Sequence, residues 1–119
     1  MSLPLTLNLL QGSLTFQFPP AAAQALKTEI SQLIESMKAI AGNTDLRGRP
    51  QPQKTMEYQY IGDVFLEIFC NPNIYPSPFA AKVLITLRDD RIRLTSEAEL
   101  PRLIEDLDNY LAQTEACAG

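Results

Sequence analysis

The chain of 119 residues contains no His, no Trp, two Cys and five Gly. Without imidazole it lacks the side chain most used for proton transfer near neutral pH, and the commonest metal ligand. Cys70 and Cys117 stand too far apart in sequence for a Cys-x-x-Cys site and are too few for a disulfide framework. A bridge between them would have to capture the C-terminal tail, and a reducing compartment disfavours it. The glycines form neither of the phosphate-cradling patterns G-x-G-x-x-G and G-x-x-x-x-G-K, and no G-x-S-x-G nucleophile elbow exists. No apolar run approaches the ~20 residues of a membrane helix. The opening residues carry no basic group ahead of their apolar positions, so a secretory leader is not expected. These absences point to a cytoplasmic protein that is not an enzyme and has no catalytic residues, no metal and no cofactor.

What is present suits one folded domain over residues 1–119: 45% apolar, 8% aromatic and 20% charged residues. A chain of this length hides roughly two thirds of its extended-chain surface on folding, enough for a core without staples. The net charge is −4. Residues 1–60 carry five basic and four acidic groups, whereas residues 61–119 carry five basic and ten acidic ones. A phosphate backbone is repelled by such a surface, and no Lys/Arg stripe is interleaved with aromatics, so nucleic acid is not an expected partner. The one local basic cluster is Arg47, Arg49 and Lys54.

Periodicity sets out the elements. Leu3, Leu5, Leu7 and Leu9 alternate with Pro4, Thr6 and Asn8, and after Gln11, Gly12 and Ser13 the pattern resumes with Leu14, Phe16 and Phe18. This is a hairpin with one greasy face. Pro19-Pro20 ends it, and from Ala21 the apolar spacing changes to threes and fours through Leu26, Ile30, Leu33, Ile34, Met37 and Ile40, the signature of a one-sided helix closed by Gly42. Residues 43–54, with Gly48, Pro50 and Pro52, read as a flexible surface loop.

Strand composition returns with Met56, Tyr58 and Tyr60, then with Val64, Leu66, Ile68 and Cys70, whose opposite face carries Phe65 and Phe69. A strand apolar on both faces lies inside a sheet, or its second face meets a partner. Ala81, Val83, Ile85 and Leu87 begin another hairpin that turns at Asp89-Asp90 and returns through Ile92 and Leu94. We expect a short turn over residues 96–99, then a helix with Pro101 as its first residue and a frayed tail at 114–119. The order ββα-ββββ-α predicts an α+β fold: a largely antiparallel sheet of five or six strands with two helices packed on one face.

Each carboxylate pair has a structural use. Asp89/Asp90 fits a turn, Glu97/Glu99 fits a helix start, and Asp106/Asp108 fits the solvent face of the last helix. What remains is surface. The segment 71–79 holds Ile74, Tyr75 and Phe79 among Pro72, Pro76 and Pro78. Prolines lower the entropy lost on docking, and aromatics supply contact area with few rotamers to freeze. With Tyr58, Tyr60, Phe65 and Phe69 on the preceding strands, and Arg47 and Arg49 as a clamp, these residues form the candidate partner site. The alternative is that Tyr75 and Phe79 fold back over the sheet.

The run YPSPFAAKVLITLRDDRIRLTSEAELPRLIEDLDNYL, residues 75–111, resembles the C-terminal half of small cyanobacterial α+β proteins of the kind that includes the chaperone-like β-carboxysome assembly factor. The resemblance implies peptide-holding assembly work and transfers no binding residue. The expected function is therefore a non-enzymatic module that binds another protein or a peptide. A self-associating subunit, acting as a homodimer, is the alternative, and a small-molecule binder or unrecognised enzyme the third reading.

Overall fold

Alternation over the first strands produces a hairpin in which β1 (Leu3–Asn8) pairs antiparallel with β2 (Ser13–Phe18). These and the elements below belong to a computed structural model that describes residues 3–42 and 52–118. Cross-strand partners Leu5 and Phe16, with Leu7 and Phe18, are buried on one face. Thr6 and Thr15 share a hydroxyl hydrogen bond of 2.9 Å on the exposed face. The turn closes where Gly12 adopts φ +89°, a left-handed conformation that costs a glycine nothing in sterics.

Helix α1 (Pro20–Gly42) follows with only Pro19 between. Its stripe of Ala23, Leu26, Ile30, Leu33 and Met37 is buried. Strands β3 (Met56–Ile61), β4 (Phe65–Cys70), β5 (Lys82–Arg88) and β6 (Arg93–Glu99) form an antiparallel meander in the order β3-β4-β5-β6. The two-faced apolar strand β4 is interior, as its composition requires. On the inner face, Met56, Tyr58, Leu66, Ile68, Cys70, Val83, Ile85 and Ala98 are buried. Helix α2 (Leu100–Ala118) sets Leu103, Leu107, Tyr110 and Leu111 into the same core.

Five details depart from the sequence-based expectation. The six strands form two sheets of two and four rather than one. The hairpin packs on α2 and reaches the larger sheet through the Leu10 N–H donating to the Glu97 carbonyl at 3.0 Å. Residues 96–99 are strand, not turn, because Ala98 points inward between the outward Glu97 and Glu99. The helix consequently starts one residue early, at Leu100, whose N–H donates to the Ala81 carbonyl at 2.9 Å. At the other end α2 continues through Ala118, since no Gly or Pro interrupts residues 114–118. Asp106 is buried, not solvent-facing: its carboxylate accepts the Asn8 backbone N–H at 2.8 Å and the Asn8 side-chain amide at 2.9 Å, with Arg102 Nε at 3.3 Å.

Candidate functional site

The segment joining β4 to β5 is built from two short 3₁₀ turns, Pro72–Ile74 and Pro78–Ala80, each begun by a proline whose fixed φ suits the first helical position. Hydrogen bonds brace the first turn. The Asn71 side-chain oxygen accepts from the Asn73 backbone N–H at 3.0 Å and from the Asn73 amide at 2.9 Å. That same amide donates to the Gln53 carbonyl at 2.8 Å, while the Gln53 N–H returns a bond to Asn73 Oδ1 at 2.8 Å. A side-chain amide thus pairs with backbone as a neighbouring strand would. Pro72 is fully buried beneath the turn, and the two turns contact α1 and α2 respectively.

On this platform the three apolar side chains part company. Tyr75 folds back, half-buried against the core, and burial pushes its hydroxyl above the ordinary 10.0. Ile74 and Phe79 point away, 66% and 84% exposed. The fold-back expected of Tyr75 and Phe79 therefore holds for Tyr75 and not for Phe79: the segment covers the core with Pro72 and Tyr75 and leaves Ile74 and Phe79 exposed.

Tyr58 and Tyr60 do not belong to an outward surface. Their strand register puts them on the inner face, paired with Ile68 and Leu66. The Tyr58 hydroxyl donates to the Ala22 carbonyl at 3.2 Å, and burial pushes its pKa up to about 12. Tyr60 is half-buried, its ring edge-on to Phe18 at 4.9 Å between centroids. Core packing claims them both. Phe65 and Phe69 do lie on the outer face of β4, half-buried, with the Arg88 guanidinium 4.4 Å above the Phe65 ring. Arg47 and Arg49 lie outside the described residues, as do positions 43–51 of the expected loop. Its last residues, around Gln53, are held by Asn73.

Leu84, 42% exposed and cross-strand from Phe69, extends the outer apolar face and was not singled out from the sequence. The signal was its phase: Leu84 falls between the core positions Val83 and Ile85 and must face the other way. Leu10, in the hairpin turn, stands beside it, and with Gln11, Leu84, Thr95 and Glu97 it lines an open cleft of about 420 Å³. A second cleft of about 280 Å³, between α1 and β3, is lined by Glu29, Gln32, Leu33, Ser36, Lys54 and Met56 among others.

Among the described residues no group of three or more His, Cys, Asp or Glu side chains converges as metal ligands would. No helix among them is long and apolar enough to cross a membrane. No family model, no curated protein and no solved structure matches the chain.

Proposed function

We propose that this protein is a non-enzymatic module that binds another polypeptide, an assembly or chaperone-like factor acting in the cytoplasm, with Ile74 and Phe79 as its anchors. The observation that carries the reading is the combination of a nearly naked phenylalanine at 79 with an exposed Ile74 on the neighbouring braced turn. Burying a side chain of this size is worth about 1.5–3 kcal/mol, a gain that the fold forgoes at Phe79 while it buries the neighbouring Pro72 and half-buries Tyr75. Because Asn71, Asn73 and Gln53 already fix the first turn, docking orders little backbone there, so more of the contact energy appears as affinity. The preferred partner is an apolar segment of another chain. Peptide-holding assembly work, implied by the resemblance of residues 75–111, agrees with that chemistry.

Affinity capture from extracts of the source cells, comparing the parent chain with an Ile74→Ser/Phe79→Ser variant, tests the proposal. We expect one or a few polypeptides to be retained by the parent and lost with the variant, whose melting temperature stays unchanged because neither side chain is packed. Equal retention by both proteins removes these residues from the site.

A further inference from the structure

The outer face of the four-stranded sheet is organised by its register into rows that cross all strands. One row contains Ile61, Phe65, Arg88 and Arg93; four residues further along the strands, past the middle row of Gln59, Glu67, Thr86 and Thr95, another contains Glu57, Phe69, Leu84 and Glu97. Arg88 and Arg93 are directly cross-strand from each other, an arrangement of like charges that disfavours the isolated sheet. Among the described residues neither arginine takes part in an ion pair, and neither do Glu57 and Glu97. Arg93 and Glu97 share β6 but are four residues apart, about 13 Å along an extended strand, too far to bridge within one chain. The face is thus positive at one end, negative at the other and aromatic at both.

We propose that a second copy of this chain docks on this face, related by a twofold axis that lies between the sheets and runs across the strands. That rotation exchanges the two rows while keeping each strand over its own counterpart. Arg93 of each copy then faces Glu97 of the other, and Phe65 faces Phe69, so every contact occurs twice. A twofold axis along the strands would instead set the arginine rows against each other. Strands of the two sheets run nearly aligned, the arrangement of stacked sheets in sandwich folds. The middle row brings the two copies of Glu67 near the axis, each carboxylate held by its own Gln59 at 2.9 Å. This like-charge contact and the small span of the face set the affinity in the micromolar range. The proposal does not rest on the binding role of Ile74 and Phe79 and uses neither of them.

Sedimentation equilibrium on four samples tests it: the parent chain, Arg93→Glu, Glu97→Arg, and an equimolar mixture of the two variants. The parent forms a reversible dimer with Kd on the order of 10 µM, weakening as salt rises. Each variant alone places like charges at both contacts and loses at least about tenfold in affinity. In the mixture the new carboxylate at position 93 of one chain meets the new guanidinium at position 97 of the other, while the second contact keeps its parent pair. Heterodimers therefore recover to within a few-fold of the parent. Both substituted positions are exposed, and unchanged circular dichroism confirms folding. A parent chain that stays monomeric up to its solubility limit, single variants that pair as well as the parent, or a mixture that fails to recover would each overturn the proposal. The Ile74→Ser/Phe79→Ser variant dimerises like the parent, which separates this result from the test of polypeptide binding.

Discussion

Asp106 shows how one carboxylate fixes the position of a whole hairpin. Both its oxygens are engaged by Asn8 and its side chain is almost fully buried, so Asp106→Ala strands a backbone N–H and an amide and leaves Arg102 without that partner. Loss of such a buried, charge-assisted set costs about 3 kcal/mol, to be read as a shift in urea denaturation. A loss below about 1 kcal/mol would show that water replaces those bonds. Nothing in the sequence distinguished Asp106 from the exposed Asp108, because both lie on the flank of the apolar stripe and only the docked hairpin decides which is covered. Asp108 instead reaches Lys27 of α1 at 2.6 Å, half-exposed. Glycine at 12 was easier to read, since it sits in the hairpin turn. With φ at +89°, Gly12→Ala should destabilise by about 1–2 kcal/mol.

Cys70, buried at the end of β4, gives a pH dependence of definite sign. Burial pushes its thiol from an ordinary 9.0 to about 11, so the folded chain holds this proton more tightly than the unfolded one. Stability from this source is complete below pH 9.0 and falls as pH rises toward 11, where the unfolded thiol has ionised first. Tyr58 adds a second decline between pH 10.0 and about 12. The urea midpoint of the parent should therefore fall more steeply above pH 9.0 than that of Cys70→Ala; parallel curves would contradict the assignment.

Among the elements, the hairpin forms a separate two-stranded sheet that packs chiefly on α2. It meets the large sheet through the Leu10–Glu97 backbone bond and the edge-on packing of Phe18 on Tyr60, and α2 through Asp106 and the Tyr110 hydroxyl, which donates to the Phe18 carbonyl. Tyr110→Phe deletes that bond while keeping the ring. We expect a loss of about 1 kcal/mol, with amide exchange quickening in β1 and β2 and unchanged in β4 and β5. Uniform acceleration would mean that the hairpin and sheet open as one unit.

Strand and helix identities were legible because period two and period 3.6 are local properties: Leu5/Leu7 and Phe16/Phe18 marked the hairpin face, and Leu26 to Met37 marked α1. The division into two sheets was not legible, since pairing across the gap depends on one carbonyl at Glu97 and on where α2 lies. Residues 96–99 misled for a related reason. Ser96 and Glu99 match a helix-capping pattern, yet they continue the ladder with β5, and strand passes directly into helix.

At the scale of the molecule, the described residues expose apolar surface on the turns at Ile74 and Phe79 and on the outer sheet face. The sequence pointed to both through the prolines around Tyr75 and through the two aromatic residues of β4. It could not say which aromatics turn inward. Tyr58 and Tyr60 have the same alternation as Phe65 and Phe69, and only the register, which aligns them with Ile68 and Leu66, sends them to the core. The charge rows were equally hidden, because Arg88, Arg93, Glu57 and Glu97 come from three strands and acquire their arrangement only by pairing.

Polypeptide binding through the turn at Phe79 is tested most directly by placing a photo-crosslinking phenylalanine analogue at position 79 in living cells of the source organism. Illumination should join it to a defined polypeptide, with the adduct suppressed when Ile74 is changed to Ser and absent when the analogue is moved to the exposed position Arg91. Adducts no more abundant or selective at 79 than at 91 would contradict the account.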